Sequence, residues 1–353
     1  MRVPDKNLAE VWERGFTVVE NFLDAETLGA ARAALWGVYP KPEDYFADPS
    51  KHPELADSQF SGINVFPYGD WALNRIPVYP DLTDAAERLL GSDDIEIYKI
   101  ELWAKYAGAV DYDQPHHRDF GNHTLVVPRQ DRVHTQMTTF ILLSDVTDAD
   151  GPTKLVPLEF TKHLPLTPRR QPMGELFEHE VAITGPAGTL MIYKTDVFHR
   201  GSNFSEPGRS RFAMLVDMQQ RGWRWNGKMS WPHHAGNAAM VDAMVKMTPR
   251  QRDLFGWPPA GSDYWNEQTL RDVAERYPGM DMTPYQTPPQ REGPSAKGAR
   301  GEELRRVRQT GGAVTPHPPV RFAPGPSLSL WERCFRARAR APAPPGSSWA
   351  RRR

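Results

Sequence analysis

The sequence predicts a mostly β protein with flanking helices, its core a double-stranded β-helix (jelly roll), on the strength of three observations. Between about residues 95 and 220 the apolar residues fall into short runs bounded by Gly, Pro or Asp, with no helical periodicity between them. The 34 prolines and 27 glycines supply the turns that many short strands require. Two segments with helical spacing precede this region, where they can pack on the outside of the core. With 39% hydrophobic and 10% aromatic residues, a chain of 353 residues can bury a sizeable core.

The elements follow in order. GFTVVENFL reads as a strand carrying Phe16, Val18 and Val19. Asp24 then stands as the N-cap of a helix in which Leu28, Ala31 and Leu35 recur until Gly37. Pro40 to Tyr79 is rich in Pro, Asp and aromatics and reads as irregular. A second helix spans Leu82 to Leu90, with Ala85, Ala86 and Leu89 on its apolar side and Gly91 at its exit. Strands are expected at Ile95–Trp103, Met137–Leu143, Lys154–Val156, Thr189–Tyr193 and Arg211–Asp217, with a turn at Asp148, Asp150, Gly151 and Pro152. Residues 221–290, with Trp225, Trp231, Trp257 and Trp265, read as an ordered C-terminal extension, which gives one domain over 1–290. Residues 291–353 end in RARARAPAPPGSSWARRR, whose apolar content is too low to offset the entropy of ordering; a disordered basic tail is expected.

Charge and cysteine usage exclude several classes. The formal net charge of −1 divides into 14 Lys/Arg against 4 Asp/Glu after residue 290, and −11 before it. An acidic body lacks the clustered cations that phosphate binding needs, so nucleic acid is not an expected partner. Cys334 is the only cysteine, so no internal disulfide can form. MRVPDKNLAEVW lacks the apolar run of a secretory signal, and no stretch approaches the ~20 apolar residues of a membrane span. A cytoplasmic protein acting on a small molecule, away from membranes, is the expectation.

The chemistry is concentrated in QPHHRDFGNHT. His117 and Asp119 are two residues apart, which on an extended segment points both side chains to one side. His199, in YKTDVFHRGSN, follows a predicted strand and offers a third ligand. Two imidazoles and a carboxylate suit iron(II) and leave three positions for a bidentate keto acid and dioxygen. His116, His123, His134, His233 and His234 lack a carboxylate at that spacing and read as surface or structural. HRDFGN contains both HRD and DFG, but in protein kinases these are separate elements with separate tasks, so overlapping copies sharing Asp119 exclude that reading. Arg209 and Arg211 in EPGRSRFAMLVD are candidates for the far carboxylate of 2-oxoglutarate. Arg211, deeper in the strand and on the face of Ala213, Leu215 and Asp217, is favoured over Arg209.

These residues resemble the phytanoyl-CoA dioxygenase family of iron(II)/2-oxoglutarate oxygenases over most of the first ~220 residues. WERGFTVVENFLDAETLGAARAAL is similar to the family's N-terminal strand and helix, and AAERLLGSDDIEIYKIELWAKYAG to its approach to the metal. HHRD is similar to the first two ligands, and FHRGSNFSEPGRSRFAM to the block of distal histidine and cosubstrate arginine. PLEFTKH departs from the family's Pro-Gly-Ser-His turn. The resemblance implies Fe(II) on His117, Asp119 and His199, 2-oxoglutarate and O2 as cosubstrates, and hydroxylation of an unactivated C–H bond with succinate and CO2 as co-products. Relatives that halogenate carry a small residue where Asp119 stands, so halogenation is not implied. The rival readings are a zinc hydrolase on the same ligands and a non-catalytic jelly-roll binding protein. Trp103, Phe120, Asn122 and the Trp-rich segment after Trp223 are the candidate pocket walls, with core packing the favoured reading for most of those tryptophans.

Overall fold

The computed structural model describes residues 2–110, 113–129, 135–223 and 229–286; the expected basic tail lies outside them. The chain opens with an amphipathic helix, α1 (Asp5–Arg14), that the sequence reading missed, closed by Gly15 at φ 97°. There follow β1 (Phe16–Val19), α2 (Ala25–Ala34), α3 (Pro42–Ala47), β2 (Ile63–Val65), α4 (Trp71–Asn74) and α5 (Pro80–Leu90). Asp24 caps α2 by accepting from the Thr27 N–H at 2.8 Å, a contact worth about 1 kcal/mol. Residues 40–79, expected to be irregular, contain two short α-helices, three 3-10 turns and β2, an edge strand.

Next come β3 (Ile95–Tyr106), α6 (Phe120–His123), β4 (Gln136–Leu142), β5 (Thr153–Leu155), α7 (Leu158–Thr161), β6 (Val181–Ala182), β7 (Leu190–Tyr193), β8 (His199–Gly201) and β9 (Ser210–Gln220). The last helices are α8 (Ala238–Lys246), α9 (Pro249–Asp253) and α10 (Glu267–Arg276). Each expected strand forms, with ends shifted by a residue or a few. The largest shifts are in the paired β3 and β9, which run on to Tyr106 and Gln220 because Lys105 and Tyr106 pair with Arg211 and Ser210, and Ile95 with Gln220. PLEFTKH, the departure from the family turn, winds into α7.

All described strand pairs are antiparallel and form two sheets. The larger has the order β1-β7-β4-β9-β3-β2, the smaller β6-β5-β8. Period-two alternation gives the large sheet two unlike faces. On one, Ile100, Leu102, Ala104 and Tyr106 of β3 and Phe212, Met214, Val216 and Met218 of β9 join the main core with Leu8, Ala31, Leu35, Ala85 and Leu89 from the helices. On the other stand Lys99, Glu101, Trp103 and Lys105, directly opposite Asp217, Leu215, Ala213 and Arg211. The functional residues gather on that second face. Trp231 and Trp265 of the C-terminal extension, with Met240, Met244 and Tyr285, belong to the core on the helical side.

Candidate metal centre

The segment that carries the first two candidate ligands is not a regular strand. His117 makes isolated β-bridges to His199 and to Arg170, with His117 N–H donating to His199 O at 2.9 Å and His199 N–H to His117 O at 3.0 Å. Asp119 has helical dihedrals and stands before α6. The pair therefore converges through a bend after His117, not through the extended geometry expected from sequence. His199 likewise opens its own strand in the small sheet, where Leu155 is its partner.

One possible ligand atom from each of His117, Asp119 and His199 falls within 4.8 Å of the others. His117 Nε2 lies 3.7 Å from Asp119 Oδ1, and His199 Nε2 3.2 Å from Asp119 Oδ2. Each imidazole turns its other nitrogen to a backbone carbonyl, His117 Nδ1 to Pro115 O and His199 Nδ1 to Val197 O, both at 3.1 Å. A carbonyl only accepts, so Nδ1 carries the proton in the neutral ring, and both Nε2 atoms are left on the carboxylate side, where a shared cation would be held. The Tyr193 hydroxyl donates to Asp119 Oδ2 at 2.9 Å and fixes that carboxylate from behind.

The electrostatics suit a cation. Burial, aided by repulsion from His199, pushes the His117 imidazole down to about 4, so it is neutral and ready to ligate near pH 7. Burial opposes the charge on Asp119, yet the neighbouring imidazoles, His199 first, hold its carboxyl well below the usual range. His199 is raised, because attraction to Asp119 outweighs its burial. Behind the centre, Glu180 receives Arg200 of β8 and, at 3.2 Å, Lys154 of β5. His116 Nε2 lies 3.0 Å from the same carboxylate, which ties the small sheet to the ligand loop.

The three residues line a cavity of about 370 Å³. Arg211 shares it, whereas Arg209 does not. Arg211 donates to Gly151 O, and its burial pushes the guanidinium down to about 10, still charged near neutrality. Gly151 sits at φ 58° with its α-carbon face against the backbone, where a Cβ would come within 2.6 Å of Ser202 O, so the turn that presents this carbonyl requires glycine. Arg209 is more than a third exposed and pairs with Asp150 at 3.2 Å and Glu206 at 3.4 Å.

Trp103 and Asn122 line the cavity as expected, while Phe120 is buried away from it and no tryptophan of the C-terminal extension among the described residues reaches it. Sequence reading missed Lys99, Glu101, Lys105, Gln59, Gln114, Phe140 and Tyr193. The alternation in KIELWAKY was the available signal, since it places three charges and a tryptophan on one strand face. His116 and His123 are buried, and His123, whose Nδ1 is 2.6 Å from the Tyr98 hydroxyl, also lines the cavity. His134 lies outside the described residues.

The family model for phytanoyl-CoA dioxygenase (PhyH) matches residues 12–212, more than half of the chain. The chain belongs to the phytanoyl-CoA dioxygenase family. This PhyH assignment makes it a relative of iron(II)/2-oxoglutarate enzymes, and the matched span takes in His117, Asp119, His199 and Arg211. No curated protein matches the PhyH chain in sequence. Among solved structures it is similar to the non-haem alpha-ketoglutarate-dependent epimerase SnoN from nogalamycin biosynthesis. That match has 18% identity and a TM-score of 0.41, over 61% of this chain and 81% of SnoN. It is also similar to the carbocyclase SnoK from the same biosynthesis, with 17% identity and a TM-score of 0.44, over 65% of this chain and 89% of SnoK. No helix among the described residues of this PhyH protein is long and apolar enough to cross a membrane.

Proposed function

We propose that the protein is an Fe(II)- and 2-oxoglutarate-dependent dioxygenase that hydroxylates an unactivated C–H bond of a small organic molecule. Its catalytic domain spans residues 1–290, and the two facing sheets form a jelly-roll core. The observation that carries this reading is the convergence of His117, Asp119 and His199 on one wall of a cavity that also contains the buried Arg211. Two imidazole nitrogens and a carboxylate match the facial ligand set of iron(II) oxygenases. Arg211 supplies the cation that the far carboxylate of 2-oxoglutarate needs, a role a zinc hydrolase would leave empty.

Iron(II) with 2-oxoglutarate and O2 supplies oxidising power for hydrogen abstraction, with succinate and CO2 released. The chain's residues do the rest. His117 and His199 keep their Nδ1 protons on Pro115 and Val197 carbonyls, which holds both rings in the ligating tautomer. Tyr193 holds the Asp119 carboxylate through Oδ2. Arg211, anchored on Gly151 O, orients the cosubstrate, and Phe140, Leu215 and Trp103 exclude water from the reacting face.

Anaerobic titration of the Fe(II)-loaded protein with 2-oxoglutarate, followed by succinate measurement after O2 is admitted, tests the reading. Saturable 2-oxoglutarate binding and succinate formation are expected. A protein that binds Fe(II) but neither binds nor consumes 2-oxoglutarate would refute it.

A further inference from the structure

The cavity wall opposite the smaller sheet is supplied by one strand face, Lys99, Glu101, Trp103 and Lys105 of β3. Their positions are not equivalent. Lys99 faces Asp217 across the ladder and sits 3.3 Å from its Oδ2, so this cation has a buried carboxyl group of its own. Glu101 faces Leu215, which offers it nothing polar. Its Oε2 accepts from Trp103 Nε1–H at 3.0 Å and lies 3.5 Å from Lys99 Nζ. Its Oε1 has no hydrogen-bond partner among the described residues. The side chain is 17% exposed and lines the cavity.

A carboxylate held on one oxygen and open on the other is an acceptor awaiting a donor, since an ionised carboxylate offers about four lone-pair sites. That oxygen opens on the cavity, where a donor on an occupant would take the place of solvent. Beside Lys99 and Lys105, the wall near Glu101 also has an apolar part: Leu215 lies opposite, Phe140 6.2 Å from Trp103 by ring centroids, and Phe60 edge-on to Trp103 at 6.0 Å. Phe60 is half exposed, at the accessible side of this aromatic group.

We infer that Glu101 is the residue that selects the substrate, accepting a hydrogen bond from an N–H or O–H group of a compact molecule whose apolar part rests on Trp103, Phe60 and Phe140. An anionic headgroup is disfavoured at the open oxygen itself, because a carboxylate oxygen accepts and has no donor to offer it. The inference rests on the proposed function, which makes this cavity the substrate site.

The test uses the full chain and three probes that share a phenyl ring: 2-phenylethylamine, 2-phenylethanol and 3-phenylpropionate. Their affinities are measured by ligand-detected NMR titration, with Mn(II) and 2-oxoglutarate present so that Arg211 is engaged, and again without metal. The amine or the alcohol is expected to bind at least about tenfold more tightly than the propionate, about 1.4 kcal/mol. Preference for the amine identifies an ammonium donor, and parity of amine and alcohol a neutral hydroxyl. Glu101→Gln is expected to erase the discrimination while leaving 2-oxoglutarate binding unchanged. The wild-type comparison needs no variant, so it stands even if Glu101→Gln does not fold. Propionate binding equal to both donors, discrimination that survives Glu101→Gln, or no binding of any probe would overturn the inference. If Mn(II) and 2-oxoglutarate fail to bind while the metal-free protein still discriminates through Glu101, the proposed function fails, and with it the substrate-selecting role, leaving Glu101 only as a ligand-binding acceptor.

Discussion

Replacing Arg211 by Ala removes the buried guanidinium from the cavity, and its consequence separates the two arginines of the β9 approach. A fork-shaped donor makes two charge-assisted bonds to a carboxylate, each worth roughly 1.5–3 kcal/mol where water is excluded. Part of that is recovered by solvent entering the space left by the side chain, so a net loss of about 3–4 kcal/mol is expected for 2-oxoglutarate. At about 1.4 kcal/mol per decade, the dissociation constant rises roughly 10²- to 10³-fold. Arg209 lies outside the cavity on Asp150 and Glu206, and a rim ion pair of that exposure contributes about 0–1 kcal/mol to stability. Arg209→Ala is therefore expected to shift 2-oxoglutarate affinity by less than about threefold, within that pair energy. Arg211→Lys keeps the charge without the fork and should fall between the two. The assay is anaerobic titration of each Fe(II)-loaded variant with 2-oxoglutarate, beside a thermal melt that checks folding. A larger effect from Arg209→Ala than from Arg211→Ala would refute the reasoning, as would a folded Arg211→Ala protein with near-normal affinity.

His117→Ala, Asp119→Ala and His199→Ala are each expected to abolish iron-dependent succinate formation while the melting temperature stays near that of the parent; near-normal turnover in any one would remove that residue from the ligand set. Tyr193→Phe deletes the donor to Asp119 Oδ2 and should weaken Fe(II) binding about 10- to 100-fold, read by competition with a chelator. Burial pushes the Asp217 carboxyl up to about 7, although Lys99 opposes the shift. A raised carboxyl favours the native state while protonated, so this contribution is full below about pH 4 and is lost as pH rises to about 7. Asp217→Asn should flatten stability between those limits by up to about 4 kcal/mol relative to the parent, and parallel urea-denaturation curves for the two proteins across this range would contradict it. A chain ending at Gln290 is expected to keep its melting temperature and turnover, because the Arg/Pro-rich remainder has no pattern that builds a core; a drop of many degrees would show that the tail docks.

The sequence by itself determined what local periodicity and unusual ligand spacing can carry. Alternation located the strands, Asp24 and Gly91 marked helix ends, and the order of HHRD, His199 and RSRF was specific enough to indicate the family. Tertiary structure decided what depends on distant segments meeting. Asp119 turns toward the two histidines because His117 is pinned by its bridge to His199 and the chain then bends into α6, a geometry invisible in an H-x-D string. Arg209 and Arg211 have the same strand parity, and only the start of β9 at Ser210 places one at the rim and the other in the cavity. The tryptophans after residue 223 can be read as pocket walls, although core packing is the stronger reading for most of them. Trp231 and Trp265 went to the core because the helices they accompany cover the opposite face of the large sheet. Glu101 shows the same limit most plainly. A charge in an alternating strand is ordinarily a solvated one, and it becomes a cavity-facing acceptor only once Leu215 is its cross-strand neighbour and residues of the smaller sheet share the cavity.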